Sequence, residues 1–346
     1  MVKFSILKLP VMSAAALAAL ACSAHAQDGQ MIAAEIPVPA AFPANQEFAY
    51  DRTSRMTVPV RINKSAEYAF IVDTGTERTV IAHELAKILA LKIGAKLRLA
   101  TVTGPATVDS YLVDSLTTAT TRIDGLLAPG LDRENLGAYG LLGLDSLQDK
   151  KIDIDLRADT MTVLPAKSRI NSGSSNGNLI VVSGRGKGNR LILSDAKVNG
   201  KKVDIVIDTG SQNSLGNQQL RNVLLKQNRK GGFLPIALTS VTGKTIDGDF
   251  TQIRSIEIGG IEIADLPITF SNNYAMQTLD LQKRPAIFLG MDALQLFDRV
   301  IIDFAKKQVS FGVPKRARKI EPAKLASAQP EKIDITPLVQ ALFAQR

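Results

Sequence analysis

The 346-residue chain contains no tryptophan, one cysteine and two histidines. Cys22 and His25 both lie in the first 26 residues, so the remaining chain has no cysteine and a single histidine, His83. In that remainder, the composition excludes a cysteine nucleophile, a disulfide and a Cys/His zinc site. A histidine-dependent triad can be built only around His83. The composition therefore predicts neither a metal ion nor another cofactor.

The first 26 residues have the pattern of an export signal. Lys3 and Lys8 form a positive start, residues 11–21 are an apolar stretch of 11 residues, and Ala24-His25-Ala26 offers a small-residue cleavage site. The apolar stretch is shorter than the about 20 residues that span a bilayer. We therefore predict cleavage after Ala26, a periplasmic or secreted location and no stable membrane span.

Two alternatives to cleavage remain open. The segment can stay attached as a buried helix, although all three elements of a signal occur in the right order. Lipidation of Cys22 would change only how the protein is anchored. The preceding Ala19-Leu20-Ala21 is a poor match to the sequence that lipidation requires.

The charge pattern argues against nucleic acid as a partner. Removal of Lys3 and Lys8 with the signal lowers the formal net charge from +9 to +7. Basic and acidic residues are interspersed, and there is no aromatic-rich basic stretch of the kind that binds nucleic acid. The mild basic excess is most simply a matter of solubility.

The mature chain contains two copies of one pattern. Three segments recur in the same order, at offsets of 135, 139 and 147 residues. They are residues 69–76 with 205–211 around Asp-Thr-Gly, Thr101–Gly104 with Ser240–Gly243, and Leu141–Leu147 with Phe288–Leu294. One match can be chance, whereas three in order indicate two copies of one fold.

Each copy reads as mainly β with a short helix. Hairpins are predicted for residues 55–62 with 67–72 and for 191–198 with 202–207, where Asn199-Gly200 is a strong turn. Apolar residues at i, i+3 and i+4 predict one helix per copy with one buried face. They are Leu85, Ile88 and Leu89 in the first copy and Leu220, Val223 and Leu224 in the second. Alternating strands close the copies at residues 151–164 and 300–313.

These observations divide the chain into six segments. The copies are called lobe 1 (51–167) and lobe 2 (179–314), and a polar, Gly/Ser-rich linker (168–178) joins them. A signal peptide (1–26) and an N-terminal arm (27–50) precede lobe 1, and a C-terminal tail (315–346) follows lobe 2. Extended, the linker reaches about 35 Å, which lets the lobes pack face to face.

The repeated Asp-Thr-Gly places one carboxylate just beyond an apolar strand in each lobe. Packed face to face, the lobes bring Asp73 and Asp208 within a few ångströms, and the two share a proton because both cannot ionise easily. The charged carboxylate then takes a proton from water while the protonated one donates to a substrate carbonyl. This activates water for attack on an amide without metal, thiol or histidine.

The motif resembles that of the aspartic proteases, and the lobe size with the Leu-Leu-Gly and Phe-Leu-Gly segments is similar to the retropepsin-like branch. The resemblance covers residues 55–314. It implies two tandem β-barrel lobes with short helices in a pseudo-twofold arrangement. It also implies that the apolar-apolar-Gly segments, at Gly143 and Gly290, thread beside the catalytic loops and lead into short helices.

The resemblance also implies roles for single residues. Asp73 and Asp208 would be the catalytic pair, Thr74 and Thr209 the threonines that hydrogen-bond across the lobes, and Thr76 and Ser211 the hydroxyls beside the carboxylates. Gly75 and Gly210 let the loops bend close to each other. Hairpins at Gly104 and Gly243 would be flaps over the cleft, although Pro105 follows the first and Lys244 the second. Asp145 and Asp292 recur as well and are interpreted as helix caps.

The sequence thus predicts an exported aspartic-type endopeptidase that binds a peptide or protein substrate in an extended form. We expect a monomer whose lobes pair within one chain. A non-catalytic peptide-binding protein of the same fold in the cell envelope is the main alternative. A processing enzyme with one envelope substrate, and a dimer whose lobes pair between chains, are the others.

Overall fold

The computed structural model describes residues 46–47, 49–51, 55–147, 150–168, 179–187, 190–227 and 232–314. The predicted signal peptide, most of the N-terminal arm, the linker beyond Ser168 and the C-terminal tail lie outside these ranges, so their boundaries stay predictions. None of the described helices is long and apolar enough to cross a membrane.

Lobe 1, with the two strands that precede and adjoin it, is built of short strands and two short helices. The strands are β1 (Gln46–Glu47), β2 (Ala49–Tyr50), β3 (Met56–Ile62), β4 (Glu67–Val72), β5 (Val80–Ala82), β6 (Leu97–Thr101), β7 (Gly104–Val108), β8 (Ser110–Thr117), β9 (Arg122–Leu131), β10 (Gly140–Leu142), β11 (Lys150–Asp155) and β12 (Thr160–Pro165). The helices are α1 (His83–Ile88) and α2 (Arg133–Leu136), and a single 3-10 turn covers Leu144–Ser146.

Lobe 2 repeats this order. Its strands are β13 (Leu179–Lys187), β14 (Arg190–Leu193), β15 (Ala196–Val198), β16 (Lys201–Lys202), β17 (Asp204–Ile207), β18 (Leu215–Gly216), β19 (Leu234–Thr239), β20 (Thr245–Ile258), β21 (Ile261–Ser271), β22 (Ala286–Leu289), β23 (Arg299–Asp303) and β24 (Gln308–Gly312). Its helices are α3 (Gln218–Gln227), α4 (Tyr274–Thr278) and α5 (Met291–Leu294).

Each lobe forms a β-barrel. In lobe 1 the strand order β3-β4-β10-β5-β9-β8 closes on itself, because β3 also pairs with β8. In lobe 2 the order β14-β17-β22-β18-β21-β20-β15 has β14 and β15 in the place of β3. The single strand predicted for residues 191–198 is therefore wrong, since the chain breaks it at Ser194-Asp195. One half then pairs with β17 and the other with β20.

The hairpin turns follow from residue type. Asn63 (φ 56°) turns the predicted β3–β4 hairpin, and Asn199 (φ 45°) with Gly200 (φ 79°) turns the one in lobe 2. At Asn199-Gly200 both central residues have positive φ, which is the geometry of a two-residue hairpin turn and which asparagine and glycine tolerate best. The turns confirm the predicted hairpin positions.

The predicted helix faces are only partly buried. In α1, Leu85 is fully buried, whereas Ile88 is 62% exposed and Leu89 is half-buried. The prediction for Ile88 is wrong: α1 ends at this residue, and its side chain stays largely exposed. In α3, Leu220 and Leu224 are buried as predicted.

The last hairpin of each lobe contributes to a sheet that joins the lobes. Strand β11 of lobe 1 pairs antiparallel with β23 of lobe 2, with Lys151 opposite Asp303 and Asp155 opposite Arg299. Buried ion pairs cross this junction: Lys151 Nζ lies 3.2 Å from Asp303 Oδ2, and Arg299 bonds Asp153. The lobes thus meet within one chain.

Candidate active site

The same pair of parallel strands presents an aspartate in each lobe. Strand β4 runs parallel to β10, and β17 runs parallel to β22. Just beyond β4, the Asp73 amide donates to the Leu142 carbonyl at 3.0 Å, and beyond β17 the Asp208 amide donates to the Leu289 carbonyl at 3.0 Å. The apolar-apolar-Gly segments therefore lie beside the aspartate loops, as the resemblance implied.

The two aspartate loops touch across the lobes. A Cβ atom added at Gly75 would lie 2.5 Å from Oδ1 of Asp208, and one added at Gly210 would collide with the carboxyl group of Asp73. Each carboxyl group thus packs against the glycine of the opposite loop. Only glycine permits this approach, because any side chain would push the carboxyl groups apart.

The two threonines of the motifs bond across the lobes. Thr74 Oγ1 donates to the Ile207 carbonyl at 2.9 Å, and Thr209 Oγ1 donates to the Val72 carbonyl at 2.6 Å. Each hydroxyl also accepts the backbone N–H of the other threonine, at 3.1 and 3.2 Å. The reciprocal bonds are buried and fix the spacing of the loops that carry the carboxylates.

We predict that Thr209→Val lowers the free energy of unfolding by at least about 2 kcal/mol. The substitution leaves the Val72 carbonyl and the Thr74 N–H unpaired, and each such buried group costs roughly 1–3 kcal/mol. Thr209→Ser keeps the hydroxyl and loses a methyl group, for about 1 kcal/mol. Denaturant unfolding measures both, and equal losses in the two variants would contradict the role of the hydroxyl.

Burial raises the pKa of both aspartates. For Asp208 the pKa rises to about 7, first because of burial and second because of the charge of Asp73. Burial likewise raises the pKa of Asp73, while the Gly75 amide and the charges of Arg190 and Arg55 oppose the rise. A pair with raised pKa values keeps a proton at mildly acidic to neutral pH, which is the state that acid–base chemistry needs.

The residues after the glycines reach the carboxylates through their backbone. Thr76 N donates to Asp73 Oδ1 at 3.0 Å, beside Gly75 N at 2.8 Å. The Ser211 amide has the same effect on Asp208, lowering its pKa, while the Ser211 hydroxyl donates to the Asn213 carbonyl at 2.7 Å. Backbone donors therefore stabilise the charged form of each aspartate.

The interpretation of Asp145 and Asp292 as helix caps is wrong. Gly143 and Gly290 occupy the N-cap positions, and no side-chain cap forms there. Instead the Asp145 carboxylate accepts the Thr79 amide at 2.9 Å and its hydroxyl at 2.7 Å. Asp292 accepts the same two groups of Ser214, at 2.9 and 2.7 Å, and burial raises its pKa to about 6. Both carboxylates thus anchor the segment that follows an Asp-Thr-Gly loop.

Two hairpins lie where the flaps were expected, and each tip meets the other lobe. The β6–β7 tip presents the Val102 carbonyl, which accepts the backbone N–H of Tyr274 at 3.1 Å. Gly243, in the β19–β20 tip, lies against the Asn135 side chain of α2. The tip of the β6–β7 hairpin therefore contacts α4 of lobe 2, and the tip of the β19–β20 hairpin contacts α2 of lobe 1.

We predict that Tyr274→Pro frees the tip of the β6–β7 hairpin. Tyr274 is the first residue of α4, where proline is well tolerated, and the extended backbone of Asn273 (φ −72°, ψ 112°) suits a following proline. The variant loses the N–H that binds Val102, worth about 1 kcal/mol, so amide exchange in residues 97–108 should rise about fivefold. Tyr274→Ala removes the same side chain and keeps the N–H. Equal exchange in the two variants would show that the bond does not hold the tip.

Sequence reasoning missed the arginine that bridges the loops. Arg190 of β14 donates from Nε and Nη2 to the Gly75 carbonyl at 2.9 and 2.7 Å, and from Nη1 to Glu77 at 3.0 Å. Glu77 is an exposed residue and is the ion-pair partner of Arg190. A signal was present, because Arg55 and Arg190 are separated by the same 135 residues as Asp73 and Asp208.

The residues that the structure describes were also considered for their capacity to bind a metal ion through clustered side chains. Among the described residues, no group of three or more His, Cys, Asp or Glu side chains can hold a metal ion. His83 is half-buried beside the Tyr111 hydroxyl, 2.8 Å from its Nδ1, and packs against Gly130. It is therefore paired within lobe 1.

The chain was compared with protein families and with curated proteins. The sequence model of a family described as aspartyl protease matches residues 58–146 and 194–293. The two matches cover more than half of the chain, one in each lobe, and each contains one Asp-Thr-Gly. No curated protein matches the chain significantly.

Proposed function

The chain belongs to the aspartyl protease family, and from this premise we propose that it is an aspartic-type endopeptidase with Asp73 and Asp208 as its catalytic pair. The observation that carries the proposal is the contact of each carboxyl group with the glycine of the opposite loop. The buried carboxyl group of Asp208 and the half-buried carboxyl group of Asp73 come from different lobes, whose loops are held by the crossed threonine bonds. Together they form a site that can hold one proton between them.

In the proposed mechanism the ionised carboxylate removes a proton from a water molecule, whose oxygen attacks the peptide carbonyl carbon. The protonated carboxyl group donates its proton to the carbonyl oxygen, and a neutral tetrahedral diol forms. In the second step the C–N bond breaks as the amide nitrogen receives a proton from the dyad and a diol hydroxyl returns one. Protons balance over the cycle, and the pair is left with one proton.

A cleavage assay on an unfolded protein tests the proposal. We expect fragments at acid pH, and inhibition by a peptide that carries a non-cleavable analogue of the tetrahedral diol. A chelator and a thiol-blocking reagent should have no effect, because the mechanism uses neither a metal nor a thiol. Tight binding of the peptide without cleavage would overturn the proposal in favour of the peptide-binding alternative.

We also propose that the protein acts outside the cytoplasm. The export-signal pattern predicted in residues 1–26 supports this, and the absence of cysteine from the rest of the chain is compatible with any redox compartment. Cell fractionation with N-terminal sequencing tests it, and a mature chain that begins at Gln27 is expected. An N-terminus at a lipidated Cys22 would place the protein on a membrane, and an uncleaved cytoplasmic chain would overturn the proposal.

A further inference from the structure

Arg190 lies at the boundary between the lobes and is almost completely buried, with 6% of its side chain exposed. All three guanidinium nitrogens donate to the loop that carries Asp73: two to the Gly75 carbonyl and one to the Glu77 carboxylate. The residue belongs to lobe 2, so the bonds cross the cleft. The planar guanidinium group can bind the Gly75 carbonyl and the Glu77 carboxylate at the same time, whereas a lysine ammonium cannot make all three bonds from one position.

The charge of Arg190 acts on both members of the pair. It lowers the pKa of Asp73 and that of Asp208, against the burial that raises them. Two of its three bonds go to the neutral Gly75 carbonyl. Its acidic partner Glu77 is 54% exposed, so water screens the opposing charge. Much of the positive charge therefore stays effective at the carboxyl groups.

The two lobes differ at this point. Arg55, which is equivalent to Arg190 by the repeat, donates to Asp51 at 2.9 and 2.8 Å and to the Leu136 carbonyl at 2.6 Å. Asp51 is a nearly buried carboxylate on the same lobe, so it neutralises much of the Arg55 charge. The position equivalent to Glu77 is Gln212, which carries no charge.

We infer that Arg190 is a positioning residue that acts through Gly75: it ties the first Asp-Thr-Gly loop to lobe 2 and supplies the fixed positive charge that lets the carboxyl pair hold one proton and one negative charge. The inference rests on the proposed function for its kinetic consequence only. Arginine side chains do not titrate in the range in which carboxyl groups do, so a fixed charge of this kind acts equally across that range.

The pH dependence of kcat/KM tests this role. In Arg190→Gln both limbs of the bell-shaped profile should move to higher pH by about one unit, because an opposite charge near a carboxyl group shifts its pKa by 1–3 units. Arg190→Lys keeps the charge and loses the fork, so kcat should fall while the limbs stay in place. Glu77→Gln keeps Arg190 and removes the opposing charge, so its limbs should stay or move slightly to lower pH.

A profile of Arg190→Gln that is lower but unshifted would reduce Arg190 to a structural tie and overturn the inference. So would an upward shift in Arg190→Lys, which remains decisive if Arg190→Gln does not fold. A carbon-13 titration of the aspartate carboxyl groups in the full chain, assigned with Asp73→Asn and Asp208→Asn, needs no activity. If the wild-type protein cleaves nothing, a rise of both pKa values in Arg190→Gln still supports the inference, and unchanged values overturn it.

Discussion

Asp73→Asn and Asp208→Asn should each abolish cleavage of an unfolded protein while the chain stays folded. One remaining carboxyl group cannot act as base towards water and as acid towards the carbonyl in the same step. Loss of one partner in acid–base catalysis costs about 10²–10⁴ in rate, and here the same group also activates the nucleophile. We therefore expect kcat to fall to the background of the assay in both variants.

A matched control separates the loss of the pair from the loss of any carboxylate. Asp114, on β8, is exposed, and Asp114→Asn makes the same chemical change on the surface of lobe 1. It should keep wild-type kcat and KM. Activity within tenfold of wild type in either dyad variant would reject the shared-proton mechanism.

The stability of the dyad variants should differ from that of the wild type in how the free energy of unfolding depends on pH. The folded-state pKa values of Asp73 and Asp208 lie above the ordinary value of 3.8. The folded chain therefore binds more protons than the unfolded chain between about pH 4 and pH 7, and its free energy of unfolding falls as pH rises through that window. Asp208→Asn removes the contribution of Asp208 to this penalty. Its unfolding midpoint should rise relative to wild type between pH 4 and pH 7.

The predictable part of the fold is local or repeated in the sequence. The Asn199-Gly200 turn, the apolar strands before each Asp-Thr-Gly and the helix face of Leu220 and Leu224 depend on neighbours within a few residues. The position of the Asp73 and Asp208 loops followed from the repeat, because two copies of one lobe can only present equivalent loops at equivalent places.

The remainder depends on contacts between distant residues. Ile88 satisfies the helical spacing, yet spacing does not say whether another element covers the last turn of α1. Asp145 sits at a helix start in sequence, but the groups it binds come from Thr79 on a different loop. The bond from Arg190 to Gly75 spans 115 residues, and only the repeat offset that it shares with Arg55 pointed to it.

Pairing of the lobes within one chain predicts how activity responds to dilution and to mixing. Strands β11 and β23 of one chain join the lobes, and the bonds of Thr74 and Thr209 link the two Asp-Thr-Gly loops. A linked partner lobe has a far higher effective concentration than a lobe on another dilute chain. Specific activity should therefore be independent of protein concentration, and lobe 1 alone (51–167) should be inactive.

Mixing the two dyad variants distinguishes this arrangement from a dimer that exchanges lobes. If the lobes pair within one chain, every Asp73→Asn molecule lacks the lobe 1 carboxyl group and every Asp208→Asn molecule lacks that of lobe 2. No site then has both groups, so the mixture stays inactive even after joint unfolding and refolding. If lobes pair between chains, random pairing of an equal mixture joins the intact lobe 1 of one variant to the intact lobe 2 of the other in about a quarter of the sites. Recovery of that fraction of wild-type activity, with loss of activity on dilution, would establish the dimer. The buried ion pair of Lys151 with Asp303 across the junction would then have to form between chains.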